Sequence, residues 1–421
     1  MSDVIRENRP QPTPDVAEPA PTVTTEAGGA DGAAVVRSAG SGWGRAFRTG
    51  LTLWAAAQTM YFLINGLVWM ARSEAGPQIG GAWRVWDRWD TGHYVTLALH
   101  GYNPSTENPA FFPLYPLLMR ILEPVLPGGM LSAGLIISWI CCIAALTVIH
   151  RLVEDLFDTD TAQRTALVLI AFPFGWYLCA AYPTSLFIAL SVASLYCMRR
   201  GHWWLAGMWA GFASGARQAG VLLAVAFVIE YLRQRDWDPL KTRWNAAAIG
   251  LVPTGLIAFM LYSWHLFGDP LKFVHIQSYW GRSTTWPWTG VVNTIKQIID
   301  ASKDGAIFQP VVVLDMIDLL SVPFILTLLV LSVVGPWRLG QQCWYLIASA
   351  TATYLAVLVS PIGLGLPPLH GVPRYALEIL PAFLVLARIT ANRTLERLYL
   401  LPALGLQGAL VLIFFFDIWL S

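Results

Sequence analysis

Two carboxylates, Asp87 and Asp90, stand among tryptophans, histidines and tyrosines just beyond the first stretch of chain apolar enough to span a membrane. A carboxylate at the membrane surface, partly stripped of water, can take the proton from a sugar hydroxyl. The two acids are three residues apart, as are Trp86 and Trp89, so on a helix the acids share one face and the tryptophans another. The plainer reading has either acid capping a helix or pairing with Arg84 or Arg88. His93 and His100 follow within the run Trp89–Tyr102, although interfacial histidines more often pack than react. The run lacks the spaced ligand set of a metal site, so no metal ion is expected.

A few residues later comes AFFPLYP, residues 110–116, whose prolines rule out an ordinary spanning helix. Phe111 and Phe112 form either an interfacial belt or the floor of a groove for an isoprenoid or acyl chain. A carboxylate beside such a platform suits polar chemistry on a lipid-linked substrate. Arg217, His370 and Arg374 fall at helix ends on the outer side, where they can meet the charge that builds on a departing phosphate. The competing reading is snorkelling, or pairing of Arg374 with Glu378 one turn on. Asp315 and Asp318 sit inside an apolar segment, a costly position. They bind sugar hydroxyls or satisfy a neighbouring helix, and are set aside from the site.

Positioning these residues falls to a chain that is 56% hydrophobic and 13% charged, with mean hydropathy +0.53. Soluble domains carry roughly 25% charged residues, so an all-α polytopic membrane protein is expected. Apolar segments fall near 51–71, 130–150, 165–181, 183–198, 203–216, 218–232, 246–267, 311–335, 343–360, 374–390 and 398–420, about 11 transmembrane helices. The net charge of +1 offers no basic stripe to neutralise phosphates, which argues against nucleic acid as a partner. The five cysteines lie in apolar segments without metal-ligand spacing and read as small buried hydrophobes. Residues 1–42 are too rich in Pro, Gly, Ala and acids to fold, so a disordered cytoplasmic tail is expected, with no cleaved signal. The folded domain is then 43–421.

Basic residues set the orientation: Arg45 and Arg48 before the first span, Arg199 and Arg200, Arg233 and Arg235, and Arg388, Arg393 and Arg397 all fit the inner side. The loops 72–129, 268–310 and 361–373 are then outside. Arg217 lies mid-way along 203–232, so that stretch reads as two short helices with Arg217 at the outer turn. Trp280, Trp286 and Trp288 lay the 268–310 loop along the headgroup layer. No internal repeat of the transporter kind is visible.

RWDTGHYVTLALHGY, residues 88–102, followed by ENPAFFPLYPLLMRI, residues 107–121, resembles the mannosyltransferase family that adds the second mannose in GPI-anchor synthesis (class V), bacterial relatives included. AYPTSLF at 181–187 is similar to that family's Tyr-x-Glu-Ser-Leu-Phe, and ARQAGV at 216–221 to its Arg-Ser-x-Gly. The Pro373-Arg374-Tyr375 turn is similar to its late arginine-containing loop. The resemblance runs from about 84 to 383. It implies a GT-C-like glycosyltransferase fold with its active site on the extracytoplasmic face, and a polyprenyl- or dolichyl-phosphate mannose donor. Asp90, rather than Asp87, would be the base, with Trp89 and His93 shaping its site and Arg217 and Arg374 holding the donor phosphate. Thr184 stands where the family commonly has Glu; if that Glu contacts the acceptor, a different acceptor is implied.

The expected function is therefore a membrane-embedded inverting glycosyltransferase. Asp90 is catalytic, and Trp89, His93, Phe111, Phe112, Arg217, His370 and Arg374 bind substrate. No cofactor is required. Its partners are the lipid-linked sugar donor, a glycan, lipid or protein acceptor, and membrane lipids. It would sit in the plasma membrane of a bacterium or the endoplasmic reticulum of a eukaryote. The rivals are a transporter or flippase for a lipid-linked sugar and a non-catalytic binding subunit. A transporter needs polar residues continuing across the membrane, and Asp315, Asp318 and Glu378 make a thin path.

Overall fold

The computed structural model describes residues 30–72, 84–103, 106, 108–363 and 367–416. The chain divides into Met1–Gly42 and Trp43–Ser421, and the architecture below is that of the second unit. Of the tail expected to be disordered, residues 1–29 lie outside the described residues, whereas 30–42 are helical. The prolines of the tail all precede residue 22, and Ala and Val take over from residue 30.

Among the described residues every regular element is helical. In chain order these are α1 (Ala30–Arg72), α2 (Asp90–His100), α3 (Leu114–Leu122), α4 (Gly129–Leu156), α5 (Thr159–Ile170), α6 (Thr184–Arg199), α7 (Trp203–Ala216) and α8 (Leu223–Arg233). There follow α9 (Thr254–Phe267), α10 (Lys272–His275), α11 (Thr289–Lys303), α12 (Pro310–Val333), α13 (Trp344–Leu358), α14 (Val372–Ala376), α15 (Leu380–Ile389) and α16 (Arg393–Phe415). The central layer is α4 against α5 and α6, with α6 continuing onto α7 and α15 packing on both α5 and α12.

Among the described residues four helices are long and apolar enough to cross a membrane: Gly42–Ala71 within α1, then α4, α12 and α16. A short 3-10 stretch, Trp244–Leu251, and α9 make a fifth candidate, bent by 43° at the break between them. The remaining expected spans are present as shorter helices. At 1.5 Å per residue the 16 residues of α6 reach about 24 Å, short of a hydrocarbon core of about 30 Å. The chain is an all-α polytopic membrane protein in which unbroken spans are mixed with helices interrupted inside the bundle. The 203–232 stretch does break at Arg217, whose backbone is extended (φ −153°, ψ 145°). Where α7 and α9 cross, a Cβ on Gly255 would sit 2.3 Å from the Gly211 carbonyl oxygen, so glycine is what permits that approach.

The segment 165–181 is the largest departure from a spanning helix. Helix α5 ends at Ile170, a 3-10 turn covers Gly175–Leu178, and α6 starts only at Thr184. The connection is buried except at the half-buried Pro173, with Trp176, Tyr177 and Tyr182 all 2% exposed or less. Buried irregular backbone must find partners for its carbonyls. Gln407 Nε2 donates to the oxygens of Ile170 (2.9 Å) and Phe172 (2.6 Å). Trp139 Nε1 donates to Cys179 O at 3.0 Å, and Ser138 Oγ to Tyr182 O at 3.1 Å. Here a Cβ on Gly175 would lie 2.2 Å from Ile170 O. This pinned connection is the floor on which the polar site is built.

Candidate active site

Residues 87–90 are not one helix, so Asp87 and Asp90 do not share a face. The chain turns between Arg84 and Trp89, and α2 begins at Asp90. Trp86 explains the turn: its indole is buried against Tyr61 and Phe415, with ring centroids 5.9 and 5.0 Å away. Asp87 is left exposed. Trp89 sits at φ 54°, a left-handed backbone rare for a bulky residue, and is held there by packing against the core. That kink starts α2 on Asp90, whose carboxylate gains from the positive end of the helix.

Arg374 comes to Asp90 from the far end of the sequence. Its Nη1 donates to Asp90 Oδ2 at 2.7 Å, and the pair is mostly buried, 15% and 27% exposed. Burial alone would raise the Asp90 carboxyl. The charge and hydrogen bond of Arg374, with the charges of His93 and Arg217, outweigh it and hold the pKa below the ordinary carboxylate value. Arg374 also lies over the rings of Tyr375 (5.2 Å) and Tyr177 (6.0 Å), the latter from the pinned connection. Its Nε is buried with no hydrogen-bond partner among the described residues.

Glu378 does not pair with Arg374. Pro381 near the start of α15 disfavours helix just before it, the chain breaks between α14 and α15, and Glu378 lies in that break. It meets Arg217 instead, in a short charge-assisted hydrogen bond. Arg217 Nη2 donates to Thr184 Oγ1 at 2.9 Å, and its guanidinium lies 5.0 Å over Tyr375. Thr184 is fully buried, so its hydroxyl serves Arg217.

His93, one turn along α2, stacks on Phe111 at 4.7 Å, which in turn meets Tyr94 edge-on at 5.2 Å. Phe112 is packed elsewhere, in a small cluster with Phe259 and Phe273. His100 is exposed at the opposite end of α2, about 15 Å along the helix from Asp90. His370 lies close enough to Arg374 and Asp90 to feel both charges; burial and then Arg374 push its pKa down to about 4. The imidazole is therefore neutral near pH 7.

One residue carries no sequence signal yet belongs here. Arg282, half-buried in the 268–310 loop, exerts its charge on both His370 and Tyr375. Among the described residues its side chain makes no hydrogen bond or ion pair. Only its position relative to those two residues marks it, and that position is a property of the fold. Trp286 and Trp288 of the same loop are exposed and stacked at 5.2 Å, while the Trp280 side chain lies outside the described part. Among the described residues no group of three or more His, Cys, Asp or Glu is placed to hold a metal ion. The arrangement is thus a carboxylate at a helix start paired with Arg374, with the Arg217–Glu378 pair and Tyr375 beside it and Arg282 acting on His370 and Tyr375.

Residues 80–285 match the family model of the mannosyltransferase (PIG-V) family. The chain is 30% identical over 152 residues to GPI alpha-1,6-mannosyltransferase 2 of Rattus norvegicus, covering 34% of this chain and 30% of that protein. It is 34% identical over 95 residues to GPI mannosyltransferase 2 of Yarrowia lipolytica, covering 22% of this chain and 27% of that one. The matched stretch therefore spans less than a third of these relatives' length. Among solved structures, ArnT from Cupriavidus metallidurans bound to undecaprenyl phosphate superposes with a TM-score of 0.49 at 13% identity, over 87% of this chain and 76% of that one.

Proposed function

We propose, from the match of residues 80–285 to the mannosyltransferase (PIG-V) family model, that the chain transfers mannose from a polyprenyl-phosphate donor to an acceptor hydroxyl on the extracytoplasmic face, with a GT-C-type active site. The observation that carries the reading is the pairing of Asp90 with Arg374 at the start of a helix, where the charge of Arg217 also reaches the carboxylate. Asp90 takes the proton of the acceptor hydroxyl as its oxygen attacks the anomeric carbon. The bond from that carbon to the phosphate oxygen breaks, its electron pair leaves with the lipid phosphate, and the anomeric configuration inverts.

Arg374, Arg217 and Arg282 receive the phosphate charge as it grows. The unpartnered Nε of Arg374 offers a donor already stripped of water, so a phosphate oxygen meets no competing bond there. Drawing Arg374 towards phosphate also loosens its hold on Asp90, which makes the carboxylate a stronger base once the donor is in place. Trp89 and His93 set the walls around it, and His370, kept neutral, lends a hydrogen-bonding group without adding charge. Because the lipid phosphate is itself an activated carrier, the displacement needs no further cofactor. Since the matched stretch spans under a third of the curated relatives, the acceptor is taken from chemistry rather than from their names.

The test uses protein purified into lipid nanodiscs, labelled polyprenyl-phosphate mannose, and membrane extract as the source of acceptor. Wild type should move label to a new product, and Asp90→Asn should lose about 100-fold or more of the rate, the usual worth of a general base. Equal turnover by the two proteins would remove Asp90 from the chemistry. Saturable donor binding by both without any transfer would replace the enzyme by a carrier or binding subunit.

A further inference from the structure

The arginines account for the surroundings of Asp90, and a cavity of about 300 Å³ shares His370 with them. Gln309, Val311 and Leu314 from the start of α12, Pro367, His370 and Asp315 line it. Its volume is at the lower end of the ~300–1,000 Å³ range of small-molecule sites. Asp315 is 5% exposed, and Asp318, one turn on, 4%. Among the described residues neither carboxylate has an ion pair or a side-chain hydrogen bond.

We propose that this cavity is the acceptor subsite and that it takes an uncharged sugar ring, with Asp315 receiving hydrogen bonds from its hydroxyls. The assignment rests on the transferase reading for the word acceptor; the sugar specificity stands on the cavity. A buried carboxyl accepts hydrogen bonds when ionised and both donates and accepts when protonated, and buried polar groups are otherwise paired, so the missing partner is a hydroxyl brought by the ligand. The aliphatic faces of Val311, Leu314 and Pro367 suit the C–H face of a pyranose, while Gln309 offers a further polar contact at the edge. Among the described residues no arginine or lysine lines the cavity, so the donor phosphate stays with the arginines beside Asp90. The two substrates are thereby sorted by charge. His370 lines the cavity and also feels the charges of Asp90 and Arg374, so it is the residue the cavity shares with the surroundings of the proposed base.

The test needs wild type, Asp315→Ala and Val311→Trp in detergent-free nanodiscs. Val311 is 54% exposed, so a tryptophan there narrows the cavity without disturbing the core. Removing an unpaired buried acid relieves a desolvation cost, so Asp315→Ala should melt no lower than wild type. Saturation-transfer NMR with methyl α-D-mannopyranoside should show binding to wild type and at least a 10-fold loss in both variants. Retention of labelled polyprenyl-phosphate mannose should be equal in all three. Equal glycoside binding by all three proteins, no glycoside binding by wild type, or preference for n-hexylamine over the glycoside would each overturn the assignment. The two readings fail separately. Asp315-dependent glycoside binding in a protein that transfers nothing keeps the subsite and loses the transferase. Transfer with an acceptor KM unchanged in both variants does the reverse.

Discussion

Arg374 Nη1 stands 2.7 Å from Asp90 Oδ2, joining two residues 284 positions apart at the start of α2 and within α14. The contact fixes the base in place and weakens it in the same act. A mostly buried ion pair is poor evidence of net stability, yet removing one partner leaves the other as an uncompensated charge. Asp90→Asn should therefore melt below wild type, while Asp90→Asn combined with Arg374→Gln should recover part of that loss without recovering activity. Coupled pairs of this kind show interaction energies of about 0.5–3 kcal/mol. Thermal melts of the four proteins in nanodiscs measure it. Strictly additive losses would mean that the contact contributes nothing.

The pH dependence follows from the same pair. Because Arg374 holds the Asp90 carboxyl below its usual value, the acid limb of kcat/KM, which reports free-enzyme groups, should lie below the ordinary carboxylate range. Arg374→Gln should shift that limb upward. The sign for folding is the same: a depressed carboxylate contributes stability above its unfolded value and loses it as pH falls through the folded one. A limb that stays put in Arg374→Gln would break the link between this contact and the base.

At the start of the buried connection between α5 and α6 one amide serves two carbonyls. Gln407 Nε2 serves both Ile170 O and Phe172 O, and the residue is 1% exposed. Gln407→Leu keeps the bulk, strands the Ile170 carbonyl at a cost of about 1–3 kcal/mol when buried without a partner, and leaves Phe172 O with the Gly175 N–H alone. The variant should melt lower and lose activity together, since Tyr177 and Tyr182 sit on that connection. Unchanged melting would show the Ile170 carbonyl finding another donor.

Much of this was legible in the sequence because membranes write simple rules. Apolar runs located the helices, and the cost of a charge in lipid placed the break at Arg217. What failed were inferences from local spacing. Asp87 and Asp90 at an interval of three looked like one helical face, but burial of Trp86 among Tyr61, Phe414 and Phe415 turns the chain before α2. Arg374 and Glu378 at an interval of four looked like a helical pair, but the break before α15 sends Glu378 to Arg217. The apolar 165–181 segment reads as a span because composition does not show that Gln407, Trp139 and Ser138 wait to receive its carbonyls. Each miss is a tertiary partner overriding a local period.

Arg282 gives the sharpest separation of stability from function. Its guanidinium has no partner among the described residues, so Arg282→Ala breaks no hydrogen bond and should leave the melting temperature within about a degree. Its charge nevertheless reaches His370 and Tyr375 beside the Asp90–Arg374 pair, where a donor phosphate would lie. An arginine contact to phosphate, made partly out of water, contributes about 1.5–3 kcal/mol. At 1.4 kcal/mol per factor of ten that is roughly a 10- to 100-fold rise in donor Kd or KM. Arg282→Lys, which keeps the charge but loses the fork, should recover only part of it. Loss of thermal stability in step with donor affinity would make Arg282 a structural residue. Unchanged donor affinity would leave Arg217 and Arg374 to carry the phosphate without it.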